Sequence, residues 1–241
     1  MTVVAHPDSR PDLARSGVGV VKASTWRVGT PERQRATVDA VAKVWQSREW
    51  PFSGLLSYSV YIGSDGDTLL HYSQWESEEA YAYFFEHLRE DRNDEIDALV
   101  PGIERVGLFA YDLYRSRAMG GAHGPADPRT PGAVVIVDVE FEGPDAQRQR
   151  DWVDGVVEAL ETDPQPHPGG ISAHFHIGRD GVRVLNYAEW ESEEAHIEAL
   201  AAAGEGVGSP TPQWARVRDF PGVAGGGVQR YTPALSLSAG V

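Results

Sequence analysis

The residues best able to do chemistry in this 241-residue chain sit in one stretch that occurs twice. The first copy reads His71-Tyr72-Ser73-Gln74-Trp75-Glu76-Ser77-Glu78-Glu79, the second Asn186-Tyr187-Ala188-Glu189-Trp190-Glu191-Ser192-Glu193-Glu194. Asn and Trp side chains are neutral hydrogen-bond donors, suited to holding an oxyanion in a dry pocket, while His can move a proton near neutral pH. Asn is disfavoured in strands, so Asn186 needs either a function or a buried partner. Trp75 and Trp190 equally suit large core side chains at the ends of half-buried strands. His71 and His196, taken singly, fit satisfied or surface histidines at least as well as acid-base groups. The glutamates after each Trp read as helix-start charges and not as paired catalytic carboxylates.

A second candidate is His174-x-His176, which places two imidazoles on one side of a strand, as transition metals require. Two ligands do not make a site, and the corresponding residues of the first copy are Ser59 and Tyr61. No metal is therefore expected, and the pair reads as polar lining. A two-residue hairpin turn would put it on the face opposite Asn186, and a three-residue turn with a bulge on the same face; the sequence leaves that open. The absence of cysteine removes disulfides, thiolate catalysis and Cys-ligated metal. Gly225-Gly226-Gly227 lacks the helix and Lys of a phosphate cradle.

The elements that must position these residues follow from the repeat. At an offset of 115 residues, Ile62 to Ala80 matches the later copy at 12 of 19 positions without a gap. That period suits a duplicated small domain, not a solenoid. In each copy an Asp-Gly turn separates two β-rich runs, and Ser77 or Ser192 then caps a helix with acidic residues in its first turn. Upstream, Val18 to Trp26 reads as a strand and Thr30-Pro31-Glu32 as a helix start. Downstream, Val106 to Arg115 alternates as a strand, and Arg89 to Asp97 reads as a solvated charged segment from which Arg89 or Arg92 can reach an anionic substrate. The order β-α-β-β-α-β is the ferredoxin-like pattern. It recurs with a strand from Ala133 to Phe141, a helix from about Asp145, hairpin strands ending at Trp190, a helix from Ser192 and a last strand near Val228 to Leu237. The expected organisation is a domain at 17–116, a linker at 117–132 and a domain at 133–238, after a loose arm at 1–16. A small insertion in the second copy raises the offset from 115 to 120 before Pro221-Gly222. Each unit leaves one face of its sheet uncovered, and two copies bury those faces by closing into an intramolecular α+β barrel.

A net charge of −15 argues against nucleic acid, which draws on clustered Lys and Arg. No apolar run reaches the length needed to span a bilayer and no signal-peptide core is present, so a cytoplasmic protein without membrane contact is expected. Pairing of the fused chain into a homodimer stays open.

Around Asn186-x-x-x-Trp190 and the repeated Tyr-x-x-Trp-x-Ser-x-Glu-Ala core, the chain resembles the antibiotic biosynthesis monooxygenase family over both halves. The resemblance implies oxidation of phenolic, anthrone or naphthol-type polyketide intermediates by O₂, with no flavin, haem or metal cofactor. It implies a working set of an Asn, a Trp four residues on and a Tyr six further. The second copy keeps Asn186 and Trp190 with His196 in the Tyr position; the first keeps Trp75 and Tyr81 with His71 in the Asn position. Tyr61, His174, His176, Phe84 and Phe85 are the candidates for lining the substrate pocket. The rival readings are a non-redox cyclase or isomerase, a silent ligand-binding barrel and a haem-degrading enzyme; the last is weakened by Phe84, Phe85, Ala199 and Leu200 where its His ligand would stand.

Overall fold

The computed structural model describes residues 1–119, 129–202 and 208–240. The first repeat builds strands β2 (Val20–Arg27), β3 (Leu55–Gly63), β4 (Thr68–Trp75) and β5 (Glu104–Ala118), with helices α1 (Pro31–Gln46), α2 (Glu78–His87) and α3 (Glu90–Leu99). The second builds β6 (Ala133–Phe141), β7 (Gly170–Gly178), β8 (Arg183–Trp190) and β9 (Val223–Ala239), with α4 (Ala146–Thr162), α5 (Glu193–Ala201) and α6 (Pro212–Arg218). A short β1 (Val3–Ala5) precedes them.

The strands hydrogen bond in the order β1-β9-β3-β4-β2-β5-β7-β8-β6, and β9 also pairs with β6. The class is that of an α+β barrel. Two compact units result, Met1–Tyr111 with Tyr231–Val241 and Asp112–Arg230. They do not coincide with the sequence repeats, because the long strands β5 and β9 each contribute residues to both units. The expected linker at 117–132 lies mostly outside the described residues.

Within the first unit β4 is central, antiparallel to β3 and β2, and the chain end pairs with β3 as Tyr58↔Leu237 through Gly63↔Tyr231. Helices α1, α2 and α3 cover one face, where Val41, Val44, Trp45, Phe84 and Ile96 pack on Val20, Val60 and Trp75. In the second unit β8 is central between β6 and β7, and α4 packs Trp152, Val153 and Val156 on Phe175 and Val184.

Local chemistry accounts for the junctions. Ser77 and Ser192 accept from the backbone N–H groups of Ala80 and Ala195, capping α2 and α5 as expected. Both hairpins turn through a left-handed glycine, Gly66 at φ 74° and Gly181 at φ 79°. A β-bulge lies opposite each Trp, between Leu55 and Ser57 and between Gly170 and Ser172. A buried glutamine on the first helix of each repeat holds the hairpin end. Gln34 Nε2 donates to the carbonyls of Gly63 and Thr68 at 2.8 Å each; Gln149 Nε2 donates to those of Gly178 and Arg183 at 3.1 and 2.6 Å.

Two expectations need correction, and one helix was not expected. The charged segment Arg89 to Asp97 is helical, because Arg92 and Ile96 turn inward while the acidic residues stay in solvent. The second repeat contains the matching helix α6, capped by Thr211 and started by Pro212. The N-terminal arm is not loose: β1 pairs with β9, Leu13 is buried, and Gln74 Nε2 donates to the Asp12 carbonyl at 2.9 Å.

Candidate active site

In β4 the side chains alternate, so His71, Ser73 and Trp75 point to the helix-covered face, and their neighbours Ser24, Lys22 and Tyr58 share it through the register Ser24↔His71, Lys22↔Ser73 and Tyr58↔Ser73. Above them stand Trp45 of α1, Tyr81 and Phe84 of α2, and Arg92, Asn93 and Ile96 of α3. Together with Trp26 and the 105–108 segment of β5 these enclose a cavity of about 270 Å³ within the first unit. Trp26, Trp45, Tyr58, Trp75, Tyr81 and Phe84 stand among its walls, which suits a flat aromatic guest. Lys22, Arg89, Arg92 and Arg105 line it, with no Asp or Glu among the lining residues.

His71 is 4% exposed. Its Nδ1 lies 2.6 Å from the Tyr58 hydroxyl, its ring lies 3.9 Å from that of Trp26, and its Nε2 is buried without a partner. Burial, helped by the positive charge of Arg105, holds the imidazole neutral and pushes its pKa down to about 3. Burial likewise pushes the Tyr58 phenol well above its usual range. A neutral imidazole has one donor and one acceptor. If Tyr58 donates to Nδ1, one group stays unpaired, the buried Nε2–H. The opposite tautomer strands both the Tyr58 hydrogen and the Nε2 lone pair, so the first arrangement is the more satisfied.

The other partners divide the work. Trp75 Nε1 donates to Ser73 Oγ at 2.8 Å, so its N–H is already used and the indole serves as a wall. Tyr81 packs edge-on against Trp75 at 5.2 Å, beneath Lys22 Nζ at 4.2 Å from its ring centre. Burial raises its pKa, with Arg89 opposing, so the phenol keeps its proton. Phe84 lines the cavity, whereas Phe85 is 42% exposed and carries the Arg89 guanidinium on its ring. Tyr61 is buried on the opposite face of the sheet, paired with Leu70, and does not line the cavity.

The second repeat differs. Asn186 shares its face with Trp190 and lies across from Phe175 and Val137, and its Oδ1 is buried without a partner. Trp190 packs edge-on against His196 at 4.9 Å, and Arg230 Nε donates to His196 Nδ1 at 2.9 Å. Burial, with Arg230 and His167, pushes the His196 pKa down to about 4. Where the first repeat offers Lys22, Ser24, Tyr58 and Ser73, the second has Val137, Val139, Ala173 and Ala188. Four residues separate the strands of each hairpin, an even number, so His174 and His176 lie on the face opposite Asn186. There His174 bonds to Ser116 at 2.9 Å and Ser172 at 3.0 Å, and Ser172 donates to Glu189 at 2.6 Å. Among the described residues no group of three or more His, Cys, Asp or Glu is placed to hold a metal ion.

Sequence reasoning missed Lys22, Ser24, Tyr58, Arg105 and Arg230. One signal was present: Val20, Lys22, Ser24 and Trp26 alternate on one face, and Lys22 is one of only two lysines. No helix among the described residues is long and apolar enough to cross a membrane.

No family model matches the chain. Over 73 residues, 30% of its length, it is 39% identical to tetracenomycin-F1 monooxygenase of Streptomyces glaucescens, of which it spans 62%. Among solved structures, an anthrone oxidase-like protein matches with a TM-score of 0.64 at 20% identity, over 99% of this chain and 97% of that one. A provisionally named monooxygenase from Fusobacterium nucleatum subsp. nucleatum ATCC 25586 matches with a TM-score of 0.59 at 9% identity, over 94% of this chain and 98% of that one. At such identities the structural matches speak for the fold, and the sequence likeness carries the kinship. The chain thus shares the fold of these solved structures and, over those 73 residues, a sequence likeness to a monooxygenase.

Proposed function

We propose that the chain is a monooxygenase that oxidises an electron-rich aromatic of the phenol, anthrone or naphthol type with O₂, without a cofactor, in the cavity of the first unit. The observation that supports this best is the cavity with Trp, Tyr and Phe in its walls that is also lined by His71, a buried neutral imidazole whose Nε2 has no partner. The 39% identity to a relative named as a monooxygenase supports the same reaction class.

The chemistry asks little of the protein beyond placement. The cationic lining favours the deprotonated, electron-rich form of the substrate. His71 Nε2–H donates to the oxygen on which that charge rests, and Tyr58 keeps the imidazole in this tautomer. The substrate anion passes one electron to O₂, the two radicals join in a carbon–oxygen bond, and Tyr81 supplies the proton to the peroxide. Loss of water then converts the CH₂ of an anthrone to a carbonyl, one atom of O₂ staying in the product and the other leaving as water. The aromatic walls exclude bulk solvent from the anion.

The test is aerobic against anaerobic incubation with a panel of anthrones and dihydroxynaphthalenes, reading oxygen uptake and incorporation of heavy-isotope oxygen by mass. One labelled atom per product is expected. Equal turnover without O₂ would overturn the reading and favour a cyclase or isomerase using the same cavity.

A further inference from the structure

Two of the four cations on the cavity have no carboxylate at ion-pair distance among the described residues, Asp91 and Glu95 acting on Arg92 only from farther off. Lys22 is paired with Glu78 at 2.5 Å, and Arg105 with Asp97 through two bonds of 3.0 Å. Arg89 and Arg92 make no ion pair among the described residues. Arg89 lies over Phe85, its guanidinium carbon 3.9 Å from the ring centre. Arg92 is only 7% exposed. Its Nη1 donates to the Leu88 carbonyl at 3.0 Å, its Nε is buried with no partner, and its guanidinium stands 5.1 Å from the ring of Trp45, a wall of the cavity. Glu95, on the same helix, is engaged by Arg48.

A buried guanidinium with an unmet donor is costly unless something anionic completes it. In a chain of net charge −15, carboxylates to do so are abundant, yet none lines the cavity. The fork of donors on an arginine matches the two oxygens of a carboxylate, and a low-dielectric wall strengthens that pairing. Resting on the reading of this cavity as the site for an aromatic substrate, we infer that the substrate carries an ionised carboxylate on its ring system, seated against Arg92 with Arg89 at the rim. The carboxylate fixes which ring position faces His71, so this pair sets orientation as well as affinity.

Binding tests this without turnover. A dihydroxyanthraquinone carboxylic acid and its primary amide, which share every phenol, are titrated into the full-length protein and followed by quenching of its tryptophan fluorescence. The acid should bind at least about tenfold more tightly than the amide, with the advantage shrinking as salt rises. Arg92→Met and Arg89→Gln should each weaken the acid about tenfold more than they weaken the amide. If Arg92→Met fails to fold, Arg89→Gln, at a half-exposed position, decides alone. Equal binding of acid and amide to the unmodified protein, no binding of either, or a preference that survives in Arg89→Gln would overturn the inference. Oxygen uptake with the matching anthrones separates this from the reaction itself. A preferred acid that consumes no oxygen removes the monooxygenase reading and keeps the carboxylate site, whereas equal uptake with acid and amide does the reverse.

Discussion

Replacing His71 by Gln and, separately, by Leu distinguishes a hydrogen-bond donor from a general base. The imidazole is neutral, with Nδ1 held by Tyr58 at 2.6 Å and Nε2 buried and unpaired. A glutamine amide nitrogen reaches about where Nε2 lies and donates a hydrogen, but it cannot act as a base; leucine fills the volume and does neither. Both variants leave the buried Tyr58 hydroxyl without its partner, so each should lose about 1–3 kcal/mol of stability. That shared loss cancels from the comparison. Removing a preorganised donor to a developing oxyanion costs about 10²–10³ in kcat, so His71→Leu should fall by that factor while His71→Gln stays within about tenfold of the parent. Aerobic oxygen uptake with a saturating anthrone gives kcat, and thermal unfolding checks that the two variants are comparably folded. If His71→Gln is as inactive as His71→Leu, the donor role is wrong and His71 acts as a base. If His71→Leu is fully active, His71 is not part of the machinery.

Acid should weaken the first unit through the same residue. The folded pKa of His71 is near 3 against about 6.5 unfolded, so the unfolded chain binds the extra proton. Its contribution is intact above pH 6.5 and falls by about 1.4 kcal/mol per pH unit between there and pH 3; denaturant titrations over that window should show a shallower slope in His71→Leu, and an unchanged slope would refute the burial argument. His176, also pushed down to about 3 by burial and by His174, adds a similar loss in the second unit. Gln34→Ala removes the amide that serves two buried carbonyls and should cost about 1–3 kcal/mol in denaturant unfolding; a change within error would show that other groups satisfy them. Asn186→Ala should leave oxygen uptake within about twofold, because the proposed site lies in the other unit; a loss as large as that of His71→Leu would move the chemistry to the second repeat.

By itself the sequence determined the duplication, the β-α-β-β-α-β order, both Asp-Gly hairpins and the serine caps before α2 and α5. These rest on turn chemistry, caps and side-chain alternation, which are written in neighbouring residues. Helices α3 and α6 escaped because their stability is tertiary. The inward side of α3 is Arg92 and Ile96 in an otherwise charged run, and no residue of α6 is fully buried. The long ends of β5 and β9 escaped for the same reason, their exposed residues having no simple alternation. For the site, the sequence picked out His71, Trp75, Tyr81 and Phe84, which the fold does bring to one cavity. Only the tertiary structure set Tyr61, His174 and His176 on the other faces of their sheets, used the Trp75 N–H on Ser73, and brought Lys22, Tyr58, Arg92 and Arg105 to His71. Register parity, burial and the pairing of charges distant in the chain exist only once the sheet and helices have closed over one another. For that reason His71 is a neutral donor in the fold, although the same residue in an open chain would titrate near pH 6.5.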